Sequence, residues 1–230
     1  ANNVFANADD MSGMLRAIQT LLSPDGCFFF EASYLVDLIE KMLIGTIFHE
    51  HICYHSLLSL TSFFKRHDLQ LIDIKRVNIQ GGSIIGTVQH DVGSRPTSNY
   101  VTELLDLETT LDLSNSETIK GFNDRFQSRK GEIYTLMHNI KTQNKTVAGY
   151  GASRSSSTLI AQFFLGPHLI FIVDDNPKKH GLYTVADQIP ILPVNQLKRS
   201  QPDYVIILAW VHTEKIIDSN QHYLSAGGKF

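Results

Sequence analysis

Over residues 9–22 the apolar positions Met11, Met14, Leu15, Ile18, Leu21 and Leu22 recur at helical spacing, with Asp9 or Asp10 where an N-cap belongs. Ser23-Pro24-Asp25-Gly26 is a turn signal, and Cys27-Phe28-Phe29-Phe30 is the short apolar run of a buried strand. Helical spacing returns over residues 34–43 and stops at Gly45, and a further helix is predicted over 57–67. Residues 69–74 and 83–88 have the pattern of strands, joined near Gly81 and Gly82. Ala1-Asn2-Asn3-Val4-Phe5 has the pattern of a strand's last residues, and Gly227-Gly228-Lys229-Phe230 that of a turn opening a new strand. The chain is therefore expected to be the middle and back of a longer protein.

Residues 91–100 are polar, hold Gly93 and Pro96, and are expected to be a linker. A long polar helix is predicted over 117–141, with Ile119, Phe122, Phe126, Ile133, Leu136 and Ile140 as its apolar stripe. After it, strands (146–148, 169–173, 204–208) alternate with helices (156–164, 212–224), the signature of parallel strands joined by right-handed crossovers. The fold class is α/β: an α/β unit over residues 1–92, a linker and helical connector over 93–144, and a second α/β unit over 145–230.

Composition narrows the function. Apolar residues make up 43% and charged residues 19% of the 230, as in an ordinary globular protein. A net charge of −3 gives no basic footprint for nucleic acid or an anionic membrane. Cys27 and Cys53 make neither a disulfide framework nor a thiol metal site, and no apolar run approaches the roughly 18 residues of a membrane span. With no signal peptide at the start, a soluble cytoplasmic protein is expected.

The chemistry concentrates in Thr46-Ile47-Phe48-His49-Glu50-His51-Ile52-Cys53-Tyr54-His55-Ser56, where three imidazoles, a carboxylate, a thiol and a phenol crowd together. Histidine titrates nearest neutrality, so a neighbouring carboxylate makes it an effective proton acceptor. His51 is the candidate base, with Glu50 orienting it or sharing its proton. His49, His51 and His55 also have metal-ligand spacings, but Cys53 stands where a metalloprotease pattern requires a second histidine. The third reading makes the histidines caps or core residues.

Gly149-Tyr150-Gly151-Ala152-Ser153 follows a predicted strand and opens a helix, the setting in which backbone amides meet a phosphate. Asp174 and Asp175 lie where a dinucleotide fold keeps its ribose-binding acid, while Arg154 occupies the third glycine's place. A tight turn that binds nothing is the alternative. Asn2, Asn3 and Asn7 fall at a strand end, where open α/β sheets hold ligands or simply cap the sheet. Gly81-Gly82-Ser83 permits a ligand's approach or marks a bend, and Trp210 suits core packing.

Taken together these residues resemble the sugar C-methyltransferase family, which acts on nucleotide-linked keto-sugars with S-adenosylmethionine. The shared landmarks are Ala1-Asn2-Asn3-Val4-Phe5-Ala6, Pro24-Asp25-Gly26, Phe28-Phe29-Phe30-Glu31 and Phe48-His49-Glu50-His51 with Tyr54 and Ser56. Gln80-Gly81-Gly82-Ser83, Gly149-Tyr150-Gly151-Ala152, Val173-Asp174-Asp175-Asn176-Pro177, Pro202-Asp203-Tyr204 and Leu208-Ala209-Trp210 continue the series in family order. The resemblance implies a full-length member with a zinc-binding N-terminal module, a methyltransferase domain and a C-terminal Rossmann-like domain. This chain would hold the C-terminal half of a class I methyltransferase sheet, the connector and the second domain, without the zinc module or the glycine-rich cofactor loop.

The resemblance also implies roles: His51 and Glu50 as the acid–base pair, Asn7 and Tyr54 as donors to an enolate oxygen, and Asn2 and Asn3 at the cofactor's edge. Phe48, Gly82, Gly149, Gly151 and Arg154 would meet the nucleotide-linked sugar. A histidine is usual in the family where Asn7 stands and a tyrosine is common where Phe48 stands, which moves proton transfer onto His51 and Glu50. Two rivals stand beside this reading. One is a Rossmann oxidoreductase or sensor that binds NAD or another nucleotide, and the other is a scaffold with a degenerate site.

Overall fold

The computed structural model describes residues 1–230, save the side chain of Ala6. It divides into two units, Ala1–Asp124 and Arg125–Phe230, each with its own core. In the first, α1 (Met11–Leu21) begins where Asp10 accepts the Gly13 N–H at 2.7 Å. Its stripe buries Leu15 and lays Met11, Met14, Ile18 and the following Leu22 on the core, while Leu21 stays exposed. β1 (Phe28–Ser33), α2 (Leu35–Lys41), α3 (Leu57–Lys65), β2 (Leu69–Val77) and β3 (Ser83–His90) follow. The sheet order is β1-β3-β2, antiparallel throughout. Alternation along the strands turns Phe30, Ala32, Ile84 and Val88 into one core, and a register shift between Leu71 and Asp73 lets both Leu71 and Ile74 face it.

Two expectations need correction here. The first residues are not a strand: Asn2 makes a single parallel bridge to Glu31, and the 3₁₀ turn Phe5–Asn7 follows. Asn3 sits at φ +53°, a left-handed conformation that asparagine tolerates and that ends extension. The stretch expected as linker and connector also contains α4 (Asn99–Thr110), which buries Val101 and packs Leu104, Leu105 and Leu107 on the core of the first unit. Ser98 caps it by accepting the Tyr100 N–H.

The helix α5 (Ser116–Thr142) runs across the division between the units and gives Ile133, Met137 and Ile140 to the second core. Then come β4 (Val147–Tyr150), α6 (Arg154–Gln162), β5 (Leu169–Asp174), β6 (Ile191–Pro193), α7 (Gln196–Ser200), β7 (Tyr204–Ile207), α8 (Thr213–Ser219) and α9 (Gln221–Ser225). The four strands are parallel in the order β6-β5-β4-β7. Both faces are covered: Val147, Leu169 and Ile172 belong to one core, and Ala148, Tyr150, Phe171, Val173 and Val205 to the other.

β4 runs two residues further than its sequence suggests and takes Gly149 into the sheet. The helix expected over 212–224 is two helices, broken at Asn220 (φ −121°), whose amide donates to the Ile216 carbonyl. Among the described residues no helix is long and apolar enough to cross a membrane.

Candidate functional site

The histidine-rich segment leaves the 3₁₀ turn Ile44–Thr46 and returns to order at Ser56, the N-cap of α3. Thr46 is buried, and its carbonyl accepts the Tyr54 hydroxyl at 2.7 Å, which ties the segment back on itself. His51 donates its backbone N–H to the Phe48 carbonyl at 2.9 Å, so residues 48–51 form a tight turn. That turn lays the Phe48 ring on the imidazole, with centroids 4.3 Å apart, and Tyr54 meets the same ring edge-on at 6.1 Å.

His51 is half-buried and its Nδ1 is shut from solvent with no partner. Burial lowers its pKa from the ordinary value, and a hydrogen bond that the imidazole donates to the Thr46 backbone opposes only part of that. Both the burial and the depressed pKa favour the neutral, proton-accepting form of the imidazole near neutral pH.

The three histidines part company. His49 is exposed, and its Nε2 lies 3.9 Å from the Glu50 carboxylate. His55 points into the core beside Phe5, its Nε2 buried and unpartnered. Among the described residues no three His, Cys, Asp or Glu side chains gather as metal ligands. Burial raises the Tyr54 phenol's pKa, and the Thr46 side chain lowers it by less.

Asn7 is exposed at the end of its 3₁₀ turn. Asn2 and Asn3 are held on β1: the Asn3 N–H donates to the Glu31 carbonyl at 3.0 Å, beside the Asn2–Glu31 bridge. Glu31 itself is a candidate that sequence reasoning passed over. It is 7% exposed, and its Oε1 is buried without a partner. A carboxylate in a strand carries no sequence mark of that isolation.

Gly82 has a packing reason. A Cβ there would run into Asp37, which is fully buried, bound by Arg76 through two bonds of 3.0 and 2.9 Å and by Lys41 at 2.6 Å. The start of β3 approaches α2 too closely for any side chain.

In the second unit a cleft of about 480 Å³ opens at the carboxyl ends of β4, β5 and β7. The strand order reverses between β4 and β7, the place where open α/β sheets bind ligands. Tyr150, Asp175, Lys179, His212 and Lys215 line it, and Arg154, exposed at the start of α6, does not. The Tyr150 hydroxyl donates to the Asp175 carboxylate at 3.2 Å.

Asp174 faces inward on the glycine turn instead of presenting an acid to a ribose. Its carboxylate accepts the Ala152 N–H at 2.7 Å, the Asn176 N–H at 2.8 Å and Lys179 at 3.1 Å. Burial pulls its pKa up, but these donors together outweigh it and hold the acid below its ordinary value. Ser153 and Ser156 close a reciprocal capping box on α6.

Gly149 is packed: a Cβ would stand 3.0 Å from both Ile172 and Leu208. Gly151 turns the chain at φ +96° with Ala209 against its Cα.

Residues 78–230 match the family model described as the C-methyltransferase C-terminal domain. The chain is also 35% identical over 227 residues, 98% of its length, to the C-methyltransferase NovU of Streptomyces niveus. It spans about half, 54%, of that relative's length.

Proposed function

Because the chain belongs to the C-methyltransferase family, we propose that it serves S-adenosylmethionine-dependent methylation of a carbon beside the ketone of a nucleotide-linked sugar. The observation that carries this reading is the half-buried His51 with an unpartnered Nδ1 beneath the Phe48 ring. A carbon acid next to a ketone does not ionise unaided near neutral pH, so the site must supply both a placed base and a donor for the enolate oxygen. His51 takes the proton from carbon, and the C–H electron pair becomes the enolate. Phe48 keeps water from that face.

The Tyr54 hydroxyl gives its hydrogen to Thr46 and so holds the segment, which leaves the exposed Asn7 amide as the donor to the enolate oxygen. Glu50 tunes the electrostatics of the segment from beside His49.

S-Adenosylmethionine, when bound, supplies an electrophilic methyl on a sulfonium. The unpaired, buried Glu31 oxygen beside Asn2 and Asn3 suits one edge of a cationic group of that kind, and these three residues would hold it there. The cleft of the second unit takes the nucleotide end of the substrate, with Lys215, and Lys179 beside its partner Asp174, facing the negative charge and Gly151 shaping the wall. The dinucleotide-oxidoreductase reading is disfavoured, since Asp174 is spent on the turn and Arg154 stands for the third glycine.

The test is His51→Gln in the full-length enzyme. Turnover should fall by roughly 100-fold or more, the scale of a lost general base. Exchange of the substrate's α-hydrogen with deuterium oxide should fall equally, with S-adenosylmethionine affinity unchanged. Exchange at the wild-type rate would remove His51 as the base.

A further inference from the structure

Glu108 lies on α4, in a stretch whose sequence has the character of a connector, and yet it is fully buried. Its Oε1 accepts the N–H of Leu57 at 2.6 Å, and its Oε2 accepts that of Leu58 at 2.8 Å. These are the first two residues of α3, whose opening amides have no partner within the helix. The Ser56 side chain takes the next amide, Ser59, and the Ser56 carbonyl takes Leu60. The helix start is therefore fully satisfied, half of it by one carboxylate about fifty residues further along the chain. A negative charge is favourable there, because the amides and the helix dipole are positive.

The same carboxylate lies beside Tyr34. Burial raises that phenol's pKa first, and the nearby Glu108 carboxylate raises it further. Tyr34 in turn pairs with His55 in a parallel bridge, and the Leu35 N–H donates to the His55 carbonyl at 2.9 Å. Glu108, Tyr34, His55 and the first turn of α3 thus form one buried junction. It sits at the downstream end of the segment that carries His51 and Tyr54. The upstream end is held by Thr46 through the Tyr54 hydroxyl.

From these contacts we infer that Glu108 is a positioning residue for the methyl transfer: it fixes the downstream anchor of the histidine segment and thereby the place of the His51 imidazole. This inference rests on the reading of His51 as the base. A buried carboxylate that binds two amides cannot be replaced without leaving one or both unpaired, so the start of α3 shifts when it is lost. Displacing a reacting group by about 1 Å costs on the order of 100-fold in rate.

The experiment compares Glu108→Gln and Glu108→Asp with His51→Gln in the full-length enzyme, below the melting temperature of each variant. Leu71→Ala, a cavity in the same core at a strand residue outside the histidine segment and without a bond to Glu108, is the control for lost stability. Both Glu108 variants should lower kcat and α-hydrogen exchange together, by about tenfold or more, with KM and S-adenosylmethionine affinity within about twofold of wild type. Leu71→Ala should melt earlier and keep its kcat.

Wild-type kcat in folded Glu108→Gln or Glu108→Asp, with His51→Gln inactive, would overturn the positioning role and leave the base reading intact. Near-normal exchange in His51→Gln would overturn the base reading itself, and the inference with it. A kcat loss in Leu71→Ala equal to that of the Glu108 variants would also overturn it, because general loosening would then account for both.

Discussion

His51, Tyr54 and Thr46 were legible as a group because a dense run of titratable side chains is unusual in any folding unit. Their division of labour was not. Sequence puts three histidines side by side, while the backbone sends His49 to solvent, His51 under Phe48 and His55 into the core. Glu31 and Glu108 were invisible for the opposite reason: a single carboxylate has no signature until burial shows what it faces. The buried histidines have a consequence for stability. Burial holds the pKa of His55 below its ordinary 6.5, against a hydrogen bond that the imidazole donates to the Phe5 backbone. The folded state therefore resists protonation more than the unfolded chain does. Stability from this source is complete above pH 6.5 and is lost as pH falls from there toward the depressed folded value. The melting temperature should drop between pH 7 and pH 5, and His55→Gln should flatten that drop. An unchanged slope in the variant would assign the acid sensitivity to other groups.

At the scale of elements, strands and helices with strong apolar periodicity appear close to where the sequence puts them, and departures trace to local chemistry. α4 escaped notice because its apolar positions are interleaved with Thr, Glu and Asp and follow a Pro-bearing polar stretch, although Ser98 marks its start. β6 is only three residues, and its burial comes from lying beside β5. The glycine turn after β4 shows the limit of motif reading most clearly. Its spacing suggests a phosphate loop, whereas the Ala152 amide is already taken by Asp174 and the helix start by Ser153 and Ser156. Gly151→Val would place a β-branched residue at φ +96° against Ala209. A loss of about 2 kcal/mol or more is expected, with the melting temperature several degrees lower. KM for the sugar nucleotide should stay within about twofold, since the turn's amide is not free to bind the diphosphate. A several-fold rise in KM with little change in melting temperature would instead make the turn a phosphate contact.

At the scale of the whole chain, two α/β units are evident from the change in periodicity, but the seam between them is not. Polar composition suggests a break at residues 93–144, whereas contacts divide the chain at Asp124 and Arg125, inside α5, with α4 on the first side. The core contacts of α5 come from its later turns, Ile133, Met137 and Ile140, and no residue along the helix marks in sequence where the second unit begins. The second unit draws both of its cores from residues after 124, including Ile133, Met137 and Ile140 of α5, and its parallel sheet is covered on both faces. A fragment spanning residues 125–230 should accordingly melt in a single cooperative transition. The cleft at β4, β5 and β7 lies wholly within that fragment, so it should bind a nucleoside diphosphate and not S-adenosylmethionine. Lys215→Ala, which removes a charge from the cleft wall, should weaken the diphosphate by about 3- to 10-fold, and raised salt should erase most of that difference. Calorimetric titration measures both ligands on one preparation. A fragment that melts cooperatively yet ignores the diphosphate would leave the nucleotide end of the substrate to the rest of the protein. A fragment that binds it equally well without the Lys215 charge would move the contact to Lys179.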